Sequence, residues 1–90
     1  MLTYRHRSFY IPERMMPAIK AYVNEHRLPG HFLQAVISNN LKEATARADE
    51  ENGANLPAFV AYFYNEAPSP CWGSIDKMKE WVASRNEGDE

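Results

Sequence analysis

Apolar positions recur along this chain at helical spacing, in short blocks separated by proline, glycine and asparagine. Met15, Ile19, Tyr22, Val23 and His26 fall on one face at 3.6 residues per turn, which predicts a first helix from about Pro12 or Pro17 to Arg27. Pro29-Gly30 stops it. A second helix begins near Gly30 and carries Phe32, Leu33, Val36 and Ile37, until Ser38-Asn39-Asn40 invites a break. Asn40 suits an N-cap, with Glu43 placed to complete a capping box, so a third helix is expected from Leu41 to about Asp49 with Ala44 and Ala48 inward. Asp49 to Gly53 reads as a polar turn.

A fourth helix is expected from about Asn55 to Ala67, capped by Asn55 and with Pro57 in its first turn. Leu56, Phe59, Val60, Phe63 and Ala67 make its core-facing arc, flanked by Tyr62 and Tyr64. Its back holds Ala58, Ala61 and Asn65, small residues where a solvent face more often shows Lys, Glu or Arg, so it reads as covered on more than one side. After Pro68-Ser69-Pro70 and a turn at Cys71-Trp72-Gly73, Ser74 caps a last helix with Ile75, Met78 and Val82 inward and Trp81 at the edge. Ahead of the helices, Thr3, Tyr4, Phe9, Tyr10 and Ile11 favour extended backbone. The expected architecture is all-α, a small bundle of four to five short helices. An extended N-terminal arm covers residues 1–11, a single helical domain covers 12–85, and a charged, disordered tail covers 86–90.

Composition narrows the function classes. The 90 residues suffice for one domain with a modest core, and a chain of that size gains from oligomerisation. The net charge of −2 divides into +3 over residues 1–31 and −5 over the rest, too weakly basic anywhere for a nucleic-acid footprint. A single cysteine, Cys71, forbids an internal disulfide and a multi-cysteine zinc site and suits a reducing compartment. No apolar run approaches membrane-spanning length, and residues 1–10 do not make a signal peptide.

Most candidate chemistry reads as ordinary packing. His26 and His31 lie five apart across Pro29-Gly30, which is not the geometry of a helical zinc pair, and a histidine on an apolar face is expected to be hydrogen-bonded. His6 and His31 read as surface residues. Residues 49–60 fail the EF-hand pattern, because glycine comes one position early and Val60 stands where the bidentate glutamate belongs. Cys71 has no assignable base and reads as a buried small hydrophobe. No phosphate loop, nucleophile elbow or paired-carboxylate signature occurs, so neither an enzyme nor a metal or other cofactor is expected.

Two sets keep a functional reading beside a structural one. In the arm, Tyr4, Arg5, Arg7 and Tyr10 interleave cations with aromatics, suited to stacking bases and pairing phosphates, or to packing as a strand. The second set is Asn40, Arg47, Tyr64, Asn65 and Trp72. Arg47 offers a planar fork to carboxylate or phosphate, and Tyr and Trp offer flat faces; the alternative is capping and interior hydrogen bonding.

Pro29-Gly30, Phe32-Leu33-Gln34-Ala35-Val36-Ile37-Ser38-Asn39-Asn40-Leu41-Lys42-Glu43-Ala44, Arg47-Ala48-Asp49 with Asn52, Tyr64-Asn65, Pro68, Cys71-Trp72-Gly73-Ser74 and Trp81 together resemble a family of small bacteriophage and prophage proteins. The resemblance spans roughly residues 28 to 82. It departs from the family at Asn39-Asn40, where Asn-Asp is usual. It implies a phage or prophage origin, a small helical fold and a place in the cytoplasm of an infected or lysogenic bacterium, and it brings no activity with it. In that context the leading expectation is a non-catalytic, homo-oligomeric binding protein that sequesters a small anionic nucleotide signal in counter-defence. Arg47 would pair with phosphate, Tyr64 or Trp72 would stack on a base, and Asn40 and Asn65 would read its edge. The alternative is a protein–protein adaptor or inhibitor of a host bacterial protein. A DNA-binding regulator is disfavoured by the acidic balance.

Overall fold

The structure, a computed structural model, describes residues 4–88, with side chains as far as Ser84. Six α-helices occur among them: α1 (Met16–Glu25), α2 (His31–Ile37), α3 (Leu41–Arg47), α4 (Glu50–Ala54), α5 (Leu56–Asn65) and α6 (Ile75–Gly88). The expected all-α fold is present, with one helix more than the sequence suggested. Asp49 to Gly53, expected as a turn, enters α4 because the Asp49 carboxylate accepts from the Asn52 N–H at 2.8 Å and caps it. The expected tail begins inside α6, whose backbone runs to Gly88, and residues 89–90 lie outside the described residues.

The arm is not a free extended segment. It folds back as an antiparallel hairpin, β1 (Arg5–His6) with β2 (Phe9–Tyr10), in the register Arg5 opposite Tyr10. Arg7, the first residue of its two-residue turn, takes φ +58°, because so short a link needs a left-handed residue. Strands of two residues do not hold themselves, so the hairpin depends on what it lies against. Tyr4 meets the Tyr62 ring edge-on at 5.3 Å, and Ile11 is fully buried. The Tyr10 N–H donates to Asn55 Oδ1 at 2.9 Å, while the Tyr10 hydroxyl donates to Glu51 at 2.6 Å. Arg14 bridges Asp49 at 2.8 Å and Glu51 at 3.3 Å. Asn55 therefore does not cap α5 with its side chain; its carbonyl oxygen is taken by the hairpin and its amide donates to the Glu51 carbonyl.

α5 is the central element. Phe59, Phe63, Ala58 and Ala61 are buried, so the small-residue back is covered at its two alanines, while Asn65 at its end is exposed. The core arc is nevertheless rotated from the expected one. Val60 turns outward beside Tyr64, because the hairpin takes the side of the helix that carries Tyr62. On α6, Met78 is buried and Val82 half-buried, but Ile75 is 52% exposed rather than inward.

Three contacts fix the C-terminal third on the rest. The Tyr22 hydroxyl, fully buried, donates to the Cys71 carbonyl. The Gly73 N–H donates to the Ile37 carbonyl at 2.7 Å, and Gly73 has φ +114°, where a β-carbon is strained. His26, at the left-handed end of α1, stacks on the Trp81 ring at 4.2 Å. Its Nδ1 lies 2.6 Å from the Trp81 carbonyl, which can only accept, so Nδ1 carries the hydrogen. Trp81 Nε1 in turn donates to the Tyr22 carbonyl at 2.9 Å. His26 thus holds α1 to α6, the bonded packing role expected for it.

Removing the Tyr22 hydroxyl leaves the Cys71 carbonyl unpaired inside the core. Tyr22→Phe is expected to lower unfolding free energy by about 1–3 kcal/mol, read from urea unfolding followed by circular dichroism.

The Asn52 N–H and the Arg14 guanidinium, in that order, hold the Asp49 carboxyl below its usual range. A carboxyl depressed by folding contributes stability above its unfolded-state pKa and loses it as pH falls through the folded-state value. The urea midpoint should therefore fall on acidification below about pH 4, with a shallower fall in Asp49→Asn across the same titration.

Candidate functional site

The break between α2 and α3 shapes a groove. Ser38 donates through Oγ to the Gln34 carbonyl at 2.8 Å, and the Asn40 N–H reaches the Ala35 carbonyl at 2.9 Å, closing α2. Asn39 turns the chain at φ +64°, a region asparagine tolerates. Asn40 Oδ1 then accepts from the Glu43 N–H at 3.1 Å and starts α3, as the sequence predicts. The reciprocal half of the capping box is missing. The Glu43 carboxylate instead pairs with Arg47 Nε, one turn on, at 2.7 Å.

This turn sets α3 beside α2 so that a groove of about 170 Å³ opens between them and the start of α6. Ala35, Ile75 and Met78 give it apolar walls, and His31, Gln34, Ser38, Asn40, Glu43 and Arg47 give it a polar rim. Several rim atoms are already engaged: Gln34 Nε2 donates to the Pro29 carbonyl at 2.8 Å, and Arg47 Nε is held by Glu43. The donors without a partner among the described residues include the Arg47 Nη groups, Asn40 Nδ2 and the His31 ring N–H. Arg47 and Glu43 are both about half exposed, so the pair orients the guanidinium and adds only a fraction of a kcal/mol, ~0.3–0.5, to stability.

The expected five-residue set does not converge. Asn40 and Arg47 share the groove, but Tyr64 and Trp72 do not line it. Those two rings meet edge to face at 6.2 Å, with Tyr64 73% exposed and Trp72 half-buried against the core. Asn65 lies elsewhere again, its amide 3.5 Å from the Tyr4 hydroxyl. In the arm, Tyr4 and Tyr10 are committed to Tyr62 and Glu51, and Arg5 lies over the Tyr10 ring at 5.9 Å. Arg5 and Arg7 are exposed. The cation and aromatic alternation therefore serves the strand reading, because the rings face their own chain. The groove members that sequence reasoning did not single out, Gln34, Glu43, Ile75 and Met78, come from three helices. Only the i, i+4 spacing of Glu43 and Arg47 was a readable signal.

A larger hollow of about 420 Å³ lies by Pro70, Glu80, Trp81, Ala83 and Ser84. Its Trp81 indole and Ser84 hydroxyl are already bonded, and the charge it offers is the Glu80 carboxylate, which repels an anion. Among the described residues no group of three or more His, Cys, Asp or Glu side chains could hold a metal ion, and no helix is long and apolar enough to cross a membrane. The chain matches no known protein family, no curated protein and no solved structure.

Cys71 lies at 0% exposure, and burial pushes its thiol up to about 11. The thiolate is the reactive form, so the folded protein is expected to resist a thiol-specific chromogenic reagent at neutral pH and to react fully once unfolded in guanidinium.

Proposed function

We propose that this chain is a non-catalytic binding protein whose groove between α2, α3 and α6 seats one or two side chains of a partner polypeptide. The observation that carries this is the groove's size and chemistry together. At about 170 Å³ it falls well short of the roughly 300–1,000 Å³ of clefts that enclose whole small molecules. It does fit a large apolar side chain lying on Ile75 and Met78. Around that floor, Glu43 accepts, while the Nη edge of Arg47 and Asn40 Nδ2 donate, an apolar centre with a polar rim as protein interfaces have. A peptide segment with an apolar residue next to an acidic one would lay the apolar side chain on that floor, accept through its carboxylate from Arg47 and Asn40, and donate a backbone N–H to Glu43. The resemblance to small phage and prophage proteins supports a host bacterial protein as the owner of that segment, with the chain acting in the bacterial cytoplasm as an adaptor or inhibitor.

A second reading, sequestration of a small anionic nucleotide in counter-defence, is favoured by the free Nη edge of Arg47. Against it stands the distribution of the expected stacking rings, Tyr64 and Trp72, outside the groove. Selection from a displayed library of random linear peptides, with calorimetry against cyclic and linear nucleotides, separates the two. The expected result is a family of selected peptides with an apolar residue beside Asp or Glu, binding at least tenfold more weakly to Arg47→Glu and to Ile75→Asp. Micromolar binding of a nucleotide that is lost in Arg47→Glu would overturn the peptide reading in favour of the other.

A further inference from the structure

The groove between α2, α3 and α6 is small enough to constrain its occupant further. Taken as a sphere, a space of about 170 Å³ is roughly 7 Å across. Asn40, Glu43 and Arg47 stand three and four positions apart, so they share one face of α3 and its cap. The 2.7 Å bond from Arg47 Nε to Glu43 Oε2 draws the guanidinium back along that face. Its Nη edge and Glu43 Oε1, neither partnered among the described residues, therefore adjoin as donor and acceptor. Both lie against the apolar floor of Ile75 and Met78. An interior stretch of polypeptide meets this arrangement poorly. In an extended segment neighbouring side chains point to opposite faces, and those on one face are about 6.6–6.8 Å apart. An apolar and an acidic side chain on the same face thus span the whole groove before the flanking chain leaves at either end. A C-terminal residue carries its side chain, its N–H and its carboxylate on a single Cα, and its chain leaves in one direction only.

We infer, resting on the reading of the groove as a seat for a partner's side chain, that its occupant is the C-terminal residue of that partner, an apolar one such as Leu, Ile, Met or Phe. The side chain lies on Ile75 and Met78, and the N–H of that residue donates to Glu43. The terminal carboxylate accepts from the Nη edge of Arg47, with Asn40 Nδ2 beside it. An arginine edge meets a carboxylate through two parallel N–H···O bonds, so the terminal group suits Arg47 in geometry as well as in charge. Capture of a chain's terminal carboxylate is one of the recurring ways in which proteins recognise peptides. Where the C-terminus of a peptide is fused to a carrier, the side chain of Asp or Glu has to stand in for it.

Two libraries of random peptides test it, one displayed with free C-termini and one with the C-terminus fused to its carrier, both selected on the full chain. The best binders are then synthesised with either a terminal carboxylate or a terminal amide and measured by calorimetry. Free-ended binders are expected to finish in an apolar residue, and amidation to weaken them about ten- to hundredfold, as loss of hydrogen bonds to a charged group does. In Arg47→Gln the acid and amide forms should bind alike, a ratio that a partial loss of folded protein would not move. In Ile75→Asp both forms should weaken together. Free-ended binders that keep their affinity when amidated, or that show no apolar preference at the last position, overturn the inference. Fused-end binders carrying Asp or Glu would in that case leave the peptide reading standing. A preference for the acid form that survives Arg47→Gln also overturns it, since the carboxylate would then sit elsewhere. If neither library yields a binder, the terminal assignment and the peptide reading fall together.

Discussion

The hydrogen bond from the Tyr22 hydroxyl to the Cys71 carbonyl joins two distant parts of the chain inside the core and, with the Gly73–Ile37 bond and the His26–Trp81 contacts, sets the position of the C-terminal third. Leaving a buried carbonyl unpaired costs more than an ordinary hydrogen bond contributes, so the bond acts chiefly as a requirement that excludes other placements. Burial raises the Tyr22 hydroxyl well above its usual range, which keeps it protonated and able to donate. With Cys71 placed, Gly73 reaches the end of α2, Ser74 caps the last helix through its contact with the Lys77 N–H, and Met78 comes to rest at the groove. The groove is thus a product of the core rather than of a loop.

A second level of organisation fastens the hairpin over α4 and α5. Its ion pairs are conspicuous, but Arg14, Asp49 and Glu51 are all about half exposed, and solvent screening leaves such pairs a small share of the stability. Burying Ile11 completely is worth about 1.5–3 kcal/mol, so apolar docking supplies the affinity and the polar groups supply the register. Asn52 shows the cost of this crowding. It is 4% exposed, its amide nitrogen rests 3.6 Å from the Met15 sulfur, and its Oδ1 has no partner among the described residues.

Local signals were legible, and long-range ones were not. The face of α1, the buried set of α2, and the caps at Asn40 and Ser74 follow from periodicity and capping chemistry within one or two turns. The hairpin was missed because its turn relies on a left-handed Arg7, where the familiar signal is Asn-Gly or Asp-Gly. α4 was missed because Asp49 to Gly53 is as polar as a loop, and what makes it a helix is the Asp49 cap with Arg14 and Tyr10 beyond it. Val60 and Ile75 were assigned inward since helical spacing gives an arc and not its absolute orientation. At the site, Asn40 and Arg47 were readable as neighbours seven apart on one short helix and its cap, whereas Tyr64 and Trp72 needed the tertiary path to be located.

The partners of the hairpin lie far along the chain: Tyr10 bonds Asn55, 45 positions later, and Tyr4 packs on Tyr62. During synthesis, residues 4 to 11 are made well ahead of α5, the element they come to lie on. The hairpin segment is therefore secured only after α5 has followed it, and until then it is an exposed, aromatic and mildly basic tether. In a nascent chain Tyr4, Phe9 and Tyr10 stay uncovered until α5 has been made and has itself left the ribosome.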